Sequence, residues 1–197
     1  MEVPGGIYHV GARGNRGCAL YADDGERRIF LRLLSTAVAR HGWTCHAYCL
    51  MTNHYHLLVQ LESVGLSAGV KLLNGGFARF SNRRHGNDRQ HLFRNRFWSE
   101  FIESESHLLE TARYIVLNPV RGGHCDRPER STWSSYRACA GFDHPPRFLG
   151  AKEHLALFAR SPAAARRAYR QFVRDGLGVT RPGVRHRDES RTRETPP

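Results

Sequence analysis

Two histidines one residue apart, His54 and His56, stand in the run HYHLLVQ. A tyrosine, Tyr114, stands four residues before Asn118 in ARYIVLNP. Two imidazoles presented together form a natural site for a divalent metal, or for phosphate when protonated. A tyrosine hydroxyl becomes a nucleophile as it loses its proton. Whether any of this chemistry is available depends on the elements that hold the side chains.

On a strand, residues two apart share a face. Segments 44–51 and 54–60 read as two strands joined by Thr52-Asn53, a two-residue hairpin. His54 and His56 then point one way, and Tyr55, Leu57 and Val59 the other. A strand over 7–13 carries Tyr8, Val10 and Ala12 on one face and His9, Gly11 and Arg13 on the opposite one. Packing both apolar sets against helices leaves the histidine pair on the other face, with room for His9 and Arg13 beside it. A metal or phosphate site fits that placement, and so does a polar pair on the solvated side of a half-buried sheet.

Segment 104–118 reads as a helix ended by Pro119. At 100° per residue, His107, Thr111, Tyr114 and Asn118 fall within an arc of roughly 60°. Leu108, Leu109, Ala112, Ile115 and Val116 occupy the other side. The expectation is a helix that buries an apolar stripe and presents a narrow polar one. Tyr114 could equally be a half-buried core tyrosine, and Asn118 could simply satisfy the helix end.

Other elements follow from periodicity and capping. Asp23 caps a helix to about residue 40, with Ile29, Phe30, Leu33, Leu34, Ala37 and Val38 at helical spacing. Ser67 caps a second helix to about residue 84, with Val70, Leu73, Phe77 and Phe80 as its stripe, although Gly75-Gly76 weakens it. A fourth strand spans 96–102. The order strand, helix, strand, strand, helix, strand, then a further helix, is a ferredoxin-like α+β pattern, βαββαβ with one addition. It places the first and third strands side by side at the sheet centre. Residues 1–140 read as one domain and 141–175 as a helical extension, with helices near 152–158 and 162–174. The stretch 176–197 reads as a basic, disordered tail.

The chain has 197 residues, 40% apolar and 10% aromatic, enough to bury a core. Thirty basic residues against eighteen acidic ones give +12, and 28 of the thirty are arginine. Such a surplus points to a polyanion, and arginine's planar fork suits phosphate. Arg79, Arg83, Arg84, Arg89, Arg94 and Arg96 fall within eighteen residues beside Phe93, Phe97 and Trp98, the mixture that tracks a single strand and stacks its bases. No apolar run approaches the roughly 18 residues of a membrane span, and the start lacks the pattern of a signal peptide. Five scattered cysteines without a C-x-x-C argue for a reducing compartment, the cytoplasm. Cys45, Cys49, His54 and His56 could be read as four zinc ligands of a non-enzymatic nucleic-acid-binding module. That alternative puts Cys49 opposite His56 and Cys45 on the same sheet face, yet too far along it for one tetrahedral centre.

Taken together, the runs YHVGARGN, GWTCHAYCLMTNHYHLLV, FSNRRHG, HLFRNRF, ARYIVLNPVRGG and WSSYR resemble the REP-associated tyrosine transposases, which belong to the single-tyrosine HUH transposases of the insertion-sequence-200 type. The resemblance runs in order from about residue 7 to 140, and 148–177 resembles the C-terminal extension of such proteins. It implies a ferredoxin-like fold whose added helix carries the nucleophile. The implied chemistry is metal-dependent cleavage and rejoining of single-stranded DNA through a covalent 5′-phosphotyrosine. By motif, Tyr114 matches the nucleophile, and His54, His56 and Asn118 match the ligands of a divalent Mg2+ or Mn2+. The implied partners are single-stranded and hairpin DNA of repetitive palindromic type, with Arg13, Arg79, Arg83, Arg84, Arg94 and Arg96 as DNA-binding candidates. No membrane is implied, the acting form is a monomer or a homodimer, and the location is cytoplasmic, on the nucleoid. Thr52 stands where relatives commonly carry proline, and Gly122-Gly123 where Ala-Gly is more usual; neither removes a site position.

Overall fold

The computed structural model describes residues 2–86 and 91–178. Its frame is a four-stranded antiparallel sheet of β1 (Ile7–Arg13), β2 (Trp43–Leu50), β3 (His54–Leu61) and β4 (Trp98–Ile102), in the order β2-β3-β1-β4. The ferredoxin-like arrangement is therefore present, with β1 and β3 paired at its centre. Helices α1 (Asp24–His41) and α2 (Leu66–Arg84) connect the strands. The third helix, α3 (Glu105–Arg121), follows β4, and among the described residues three shorter helices come after it: α4 (Tyr136–Ala140), α5 (Ala151–Ala156) and α6 (Pro162–Asp175).

Strand alternation sorts the side chains as the sequence requires. Tyr8, Val10, Ala12, Tyr55, Leu57 and Val59 join Phe30, Leu34, Val70, Leu73 and Phe77 of α1 and α2 in the main core. The opposite face is not solvated. Ala47, Cys49, Leu58 and Ile102 form a second cluster with Leu108, Ala112 and Ile115 of α3. At about 1.5–3 kcal/mol for each buried Leu or Ile side chain, this cluster alone is enough to hold α3 on the sheet. The solvated-face alternative fails for His56, which is 1% exposed, while His54 is half-buried.

Five local differences from expectation have identifiable causes. A β-bulge between Cys45 and Ala47 shifts the register of β2 against β3. Because side chains alternate with period two, one extra residue flips the phase. Cys45 joins the main core while Cys49, opposite His56 as expected, faces α3. The four-ligand zinc reading fails there, since its two cysteines lie on opposite faces.

The second difference is at the start of α2, which Ser67 does not cap. The Glu2 carboxylate accepts hydrogen bonds from the backbone N–H groups of Gly65 (2.8 Å), Leu66 (2.9 Å) and Ser67 (2.8 Å), a cap delivered from 63 residues before Gly65. Gly75-Gly76 does not interrupt this helix. A Cβ at Gly76 would press on the Leu33 methyls of α1, so its absence lets the two helices approach closely.

Third, β4 begins at Trp98 rather than 96. Phe93 bridges Gly14 and the Arg94 N–H donates to the Arg13 carbonyl, but pairing resumes only at Trp98 opposite Gly11. The longer chain between those points bulges out and exposes Arg94 and Arg96.

Fourth, α3 passes Pro119 and ends at Arg121. So near the helix end the missing N–H costs one bond, and the Gly122 and His124 N–H groups close the terminus on the Asn118 and Pro119 carbonyls.

Fifth, the polar stripe of α3 is turned toward the sheet and only partly exposed. Thr111 is buried, and Arg113 on the flank donates to the Phe172 carbonyl of α6.

Past α3, the chain covers the free edge of β2. The Leu50 N–H donates to the Trp133 carbonyl, the Ser135 N–H to the Tyr48 carbonyl and the Gly150 N–H to the Cys45 carbonyl. Edge strands need such cover to avoid pairing with other chains. Among the described residues, no helix is long and apolar enough to cross a membrane.

Candidate active site

The α3-facing side of the sheet is apolar at one end and carries three imidazoles toward the other. His54 and His56 project from β3 with ring centroids 5.0 Å apart and ring planes perpendicular. His9 of β1 lies diagonally beside His56, since β1 pairs Gly11 with His56 and His9 with Leu58. The His9 Nε2 and His56 Nδ1 atoms are 3.0 Å apart, a hydrogen bond between two fully buried rings. Gly11 leaves the intervening space open, and the Trp98 indole of β4 fills it. A Cβ at Gly11 would overlap that indole. Trp98 meets the His9 ring edge-on at 4.6 Å and the His56 ring at 5.7 Å.

Tyr114 closes the cluster from above. Its ring centroid is 5.7 Å from that of His56 and 6.0 Å from that of His9. The Arg121 guanidinium lies 5.4 Å from the Tyr114 ring centre, so positive charge sits beside the phenol. One turn on from Tyr114, the Asn118 amide nitrogen donates to the Tyr114 carbonyl at 2.8 Å. That bond fixes the amide with Oδ1 as the atom it can offer a cation. His54 is oriented in turn by its neighbour, with Nδ1 2.8 Å from Asn53 Oδ1.

These donors suit a divalent ion of intermediate softness. With Nδ1 of each β3 histidine engaged, Nε2 is the atom each can turn to a metal, and the Asn118 carboxamide adds an oxygen. Among the described residues, no group of three or more His, Cys, Asp and Glu side chains is disposed to hold a metal. Two imidazoles and an amide are thus the donor set to consider. Cys49, opposite His56, turns its thiol to the Met51 sulfur at 3.6 Å within the apolar cluster, and burial pushes that thiol well above the usual range.

The six arginines divide. Arg13 lies at the end of β1, exposed, paired in register with His54, and joined through its carbonyl to Arg94. Arg94 and Arg96 are exposed in the adjoining bulge. Arg79, Arg83 and Arg84 are carried by α2, on the opposite side of the sheet. Arg84 is occupied within the fold, 2.5 Å from the Asp23 carboxylate and 3.2 Å from Glu26. That guanidinium is the main reason the Asp23 carboxyl is held down at about 2. Phe93 and Phe97 pack against the main core, so Trp98 is the aromatic of this trio that reaches the histidines. Arg89 and most of the 176–197 stretch lie outside the described residues.

Sequence reasoning named Trp98 only as a base-stacking aromatic and left His9 as a possible neighbour. Their signal was present as strand phase: His9, Gly11 and Arg13 alternate on β1, and Trp98 and Glu100 alternate on β4 with Ile102. Arg121 was hidden by ending the helix at Pro119.

The model of the IS200-like transposase family matches residues 7–117, more than half of the chain. Its span includes His54, His56 and Tyr114 and stops one residue short of Asn118. No curated protein sequence matches the chain. Among solved structures, a REP-associated tyrosine transposase bound to a REP hairpin is similar at 16% identity with a TM-score of 0.62, covering 76% of this chain and 88% of the other. That likeness covers a larger share of the chain than the family match does. On the strength of the family match, this chain belongs to the IS200-like transposases.

Proposed function

We propose that this protein is a metal-dependent endonuclease and strand transferase for single-stranded DNA, acting on palindromic hairpin DNA through a 5′-phosphotyrosine intermediate. Tyr114 is the nucleophile, and His54, His56 and Asn118 are the ligands of Mg2+ or Mn2+. The observation that carries this reading is the position of the Tyr114 ring over His56 and His9 within a single chain. Tyr114 also packs against the edge of the apolar cluster around Ile115, and its contacts with the two imidazoles are what that packing alone does not require.

When bound, a divalent cation there would polarise a non-bridging oxygen of the scissile phosphate. The side chains supply the rest. The Tyr114 oxygen attacks phosphorus as its proton leaves, and the adjacent Arg121 charge favours the anionic oxygen. The bond from phosphorus to O3′ breaks, and the 3′ oxygen departs as a hydroxyl after taking up a proton. The tyrosyl ester conserves the energy of the broken bond, so attack by a 3′-hydroxyl reseals the strand without a nucleotide cofactor. Arg13, Arg94 and Arg96, exposed beside the histidines, hold the backbone of the single strand. Arg79 and Arg83 on α2 are placed for a second segment of the DNA, such as a hairpin stem. Because the phenol and the imidazoles meet in one chain, a monomer suffices, and the location is cytoplasmic, on the nucleoid.

The test incubates the protein and Mn2+ with oligonucleotides copied from palindromic repeats flanking the gene. A covalent protein–DNA species on a denaturing gel, lost in Tyr114→Phe and in His56→Ala, is the expected result. Cleavage that survives Tyr114→Phe without an adduct would move the attack to a metal-bound water. Binding of every repeat without cleavage would reduce the protein to a DNA-binding module.

A further inference from the structure

A buried imidazole can present a lone pair to a metal through only one nitrogen, and the other nitrogen must then carry the proton. The hydrogen bond between His9 Nε2 and His56 Nδ1 admits two arrangements of neutral rings. In one, His9 donates from Nε2, His56 accepts at Nδ1, and His56 Nε2 is left protonated and unable to bind metal. In the other, His56 donates from Nδ1 and keeps the lone pair on Nε2, while His9 carries its own proton on Nδ1.

The charge beside His9 selects between them. The Glu100 carboxylate of β4, which pairs in register with His9, lies 3.7 Å from His9 Nδ1. That separation is beyond a hydrogen bond; the His9 side chain is fully buried and the Glu100 side chain 43% exposed, so the field of the carboxylate is partly screened but still acts on the buried ring. A lone pair on Nδ1 would face the carboxylate and be repelled, whereas an N–H there is attracted. Trp98 edge-on at 4.6 Å and Tyr114 at 6.0 Å keep the His9 ring in this orientation.

We infer that Glu100 and His9 are positioning residues that fix the tautomer of His56, with the proton on Nδ1 and the Nε2 lone pair directed to the cation. The inference rests on the metal reading above and extends it by two residues outside the proposed donor set. The same carboxylate lies 3.7 Å from His107 Nε2, which anchors it from α3. The alignment of His56 therefore depends on the seating of α3 as well as on the sheet.

The test begins with the metal-free, 15N-labelled full chain, where long-range proton–nitrogen correlation spectra report which ring nitrogen of each histidine is protonated. His56 is expected with its proton on Nδ1. In His9→Phe the acceptor is gone, the proton shifts to Nε2, and Mn2+ affinity read by electron paramagnetic resonance falls about 10- to 100-fold. His9→Gln, which can place its amide oxygen where Nε2 was, restores both readouts. Glu100→Gln leaves His56 in mixed tautomers.

A wild-type His56 protonated on Nε2 overturns the inference with no variant needed, and so does unchanged Mn2+ affinity in His9→Phe. The two levels fail separately. A wild-type chain that takes up no Mn2+ overturns the metal reading and this inference with it. One that binds Mn2+ yet carries the His56 proton on Nε2 when metal-free overturns the inference alone.

Discussion

Acid should loosen this protein through a histidine far from the candidate active site. His154 of α5 is 1% exposed, its ring 6.0 Å from that of His46 on β2, 5.6 Å from Tyr169 on α6 and 5.7 Å from Phe158. Neither of its ring nitrogens has a hydrogen-bond partner among the described residues. Burial, and next the neighbouring His46, push its pKa down to about 3. His46 is lowered in the same direction, chiefly by burial, with Gln60 and the Glu153 carboxylate partly opposing.

The sign follows from linkage. A histidine that titrates lower in the folded chain than the ordinary 6.5 contributes full stability above about pH 6.5, and that contribution is lost as pH falls toward 3. The slope is about 1.4 kcal/mol per pH unit for one such group, so lowering pH from 6.5 to 5 costs about 2 kcal/mol from His154. For a chain of this size that is roughly 4–8 °C in Tm. The window lies above the range in which Asp23 takes up its proton, so the lowered carboxyls add nothing to it. Thermal unfolding at pH 7 and pH 5, for wild type and His154→Leu, reads the difference. The variant should lose several degrees less on acidification, even if its Tm at pH 7 is lower. Equal acid losses in the two proteins would refute the reasoning.

Further perturbations probe the frame and the site. Glu2→Ala removes the cap from α2 and should cost about 1 kcal/mol, seen as a Tm lower by roughly 2–4 °C; an unchanged Tm would mean that water replaces the carboxylate without loss. Gly11→Ala forces the Trp98 indole off His9 and His56, so tryptophan fluorescence should shift and adduct yield fall while far-ultraviolet circular dichroism is preserved. If Trp98 stays in place, the yield should not change. Replacing Arg13 or Arg96 by Ala should lower the salt slope of single-strand binding by roughly 0.7 each. Arg84→Ala should instead reduce thermal stability and leave that slope alone, because its guanidinium is already spent on Asp23 and Glu26.

The frame was legible because it is written in period. Alternation in 7–13 and 54–60 and the helical spacing of Ile29 to Val38 each specify one buried face, and the order of elements then leaves a ferredoxin-like sheet as the economical packing. Legibility ended where a bond crosses sequence distance. Nothing near Ser67 announces that Glu2 will cap α2. Nothing around Cys45 announces a bulge, yet that one extra residue decides that Cys45 and Cys49 face opposite sides and so removes a candidate metal site.

The same limit shaped the reading of the histidines. Spacing placed His54 and His56 on one face but could not say whether water or a helix covers that face. The cover is α3, and its seating turns the polar stripe of that helix toward the sheet, so the half-buried Tyr114 meets the imidazoles. A polar stripe on a helix and a polar patch on a sheet are each unremarkable alone. Their juxtaposition in a buried place is costly unless the groups partner one another, and the 3.0 Å bond between His9 and His56 supplies part of that partnership. The pairing of stripe and patch, rather than any single motif, is what a reader of such sequences should look for.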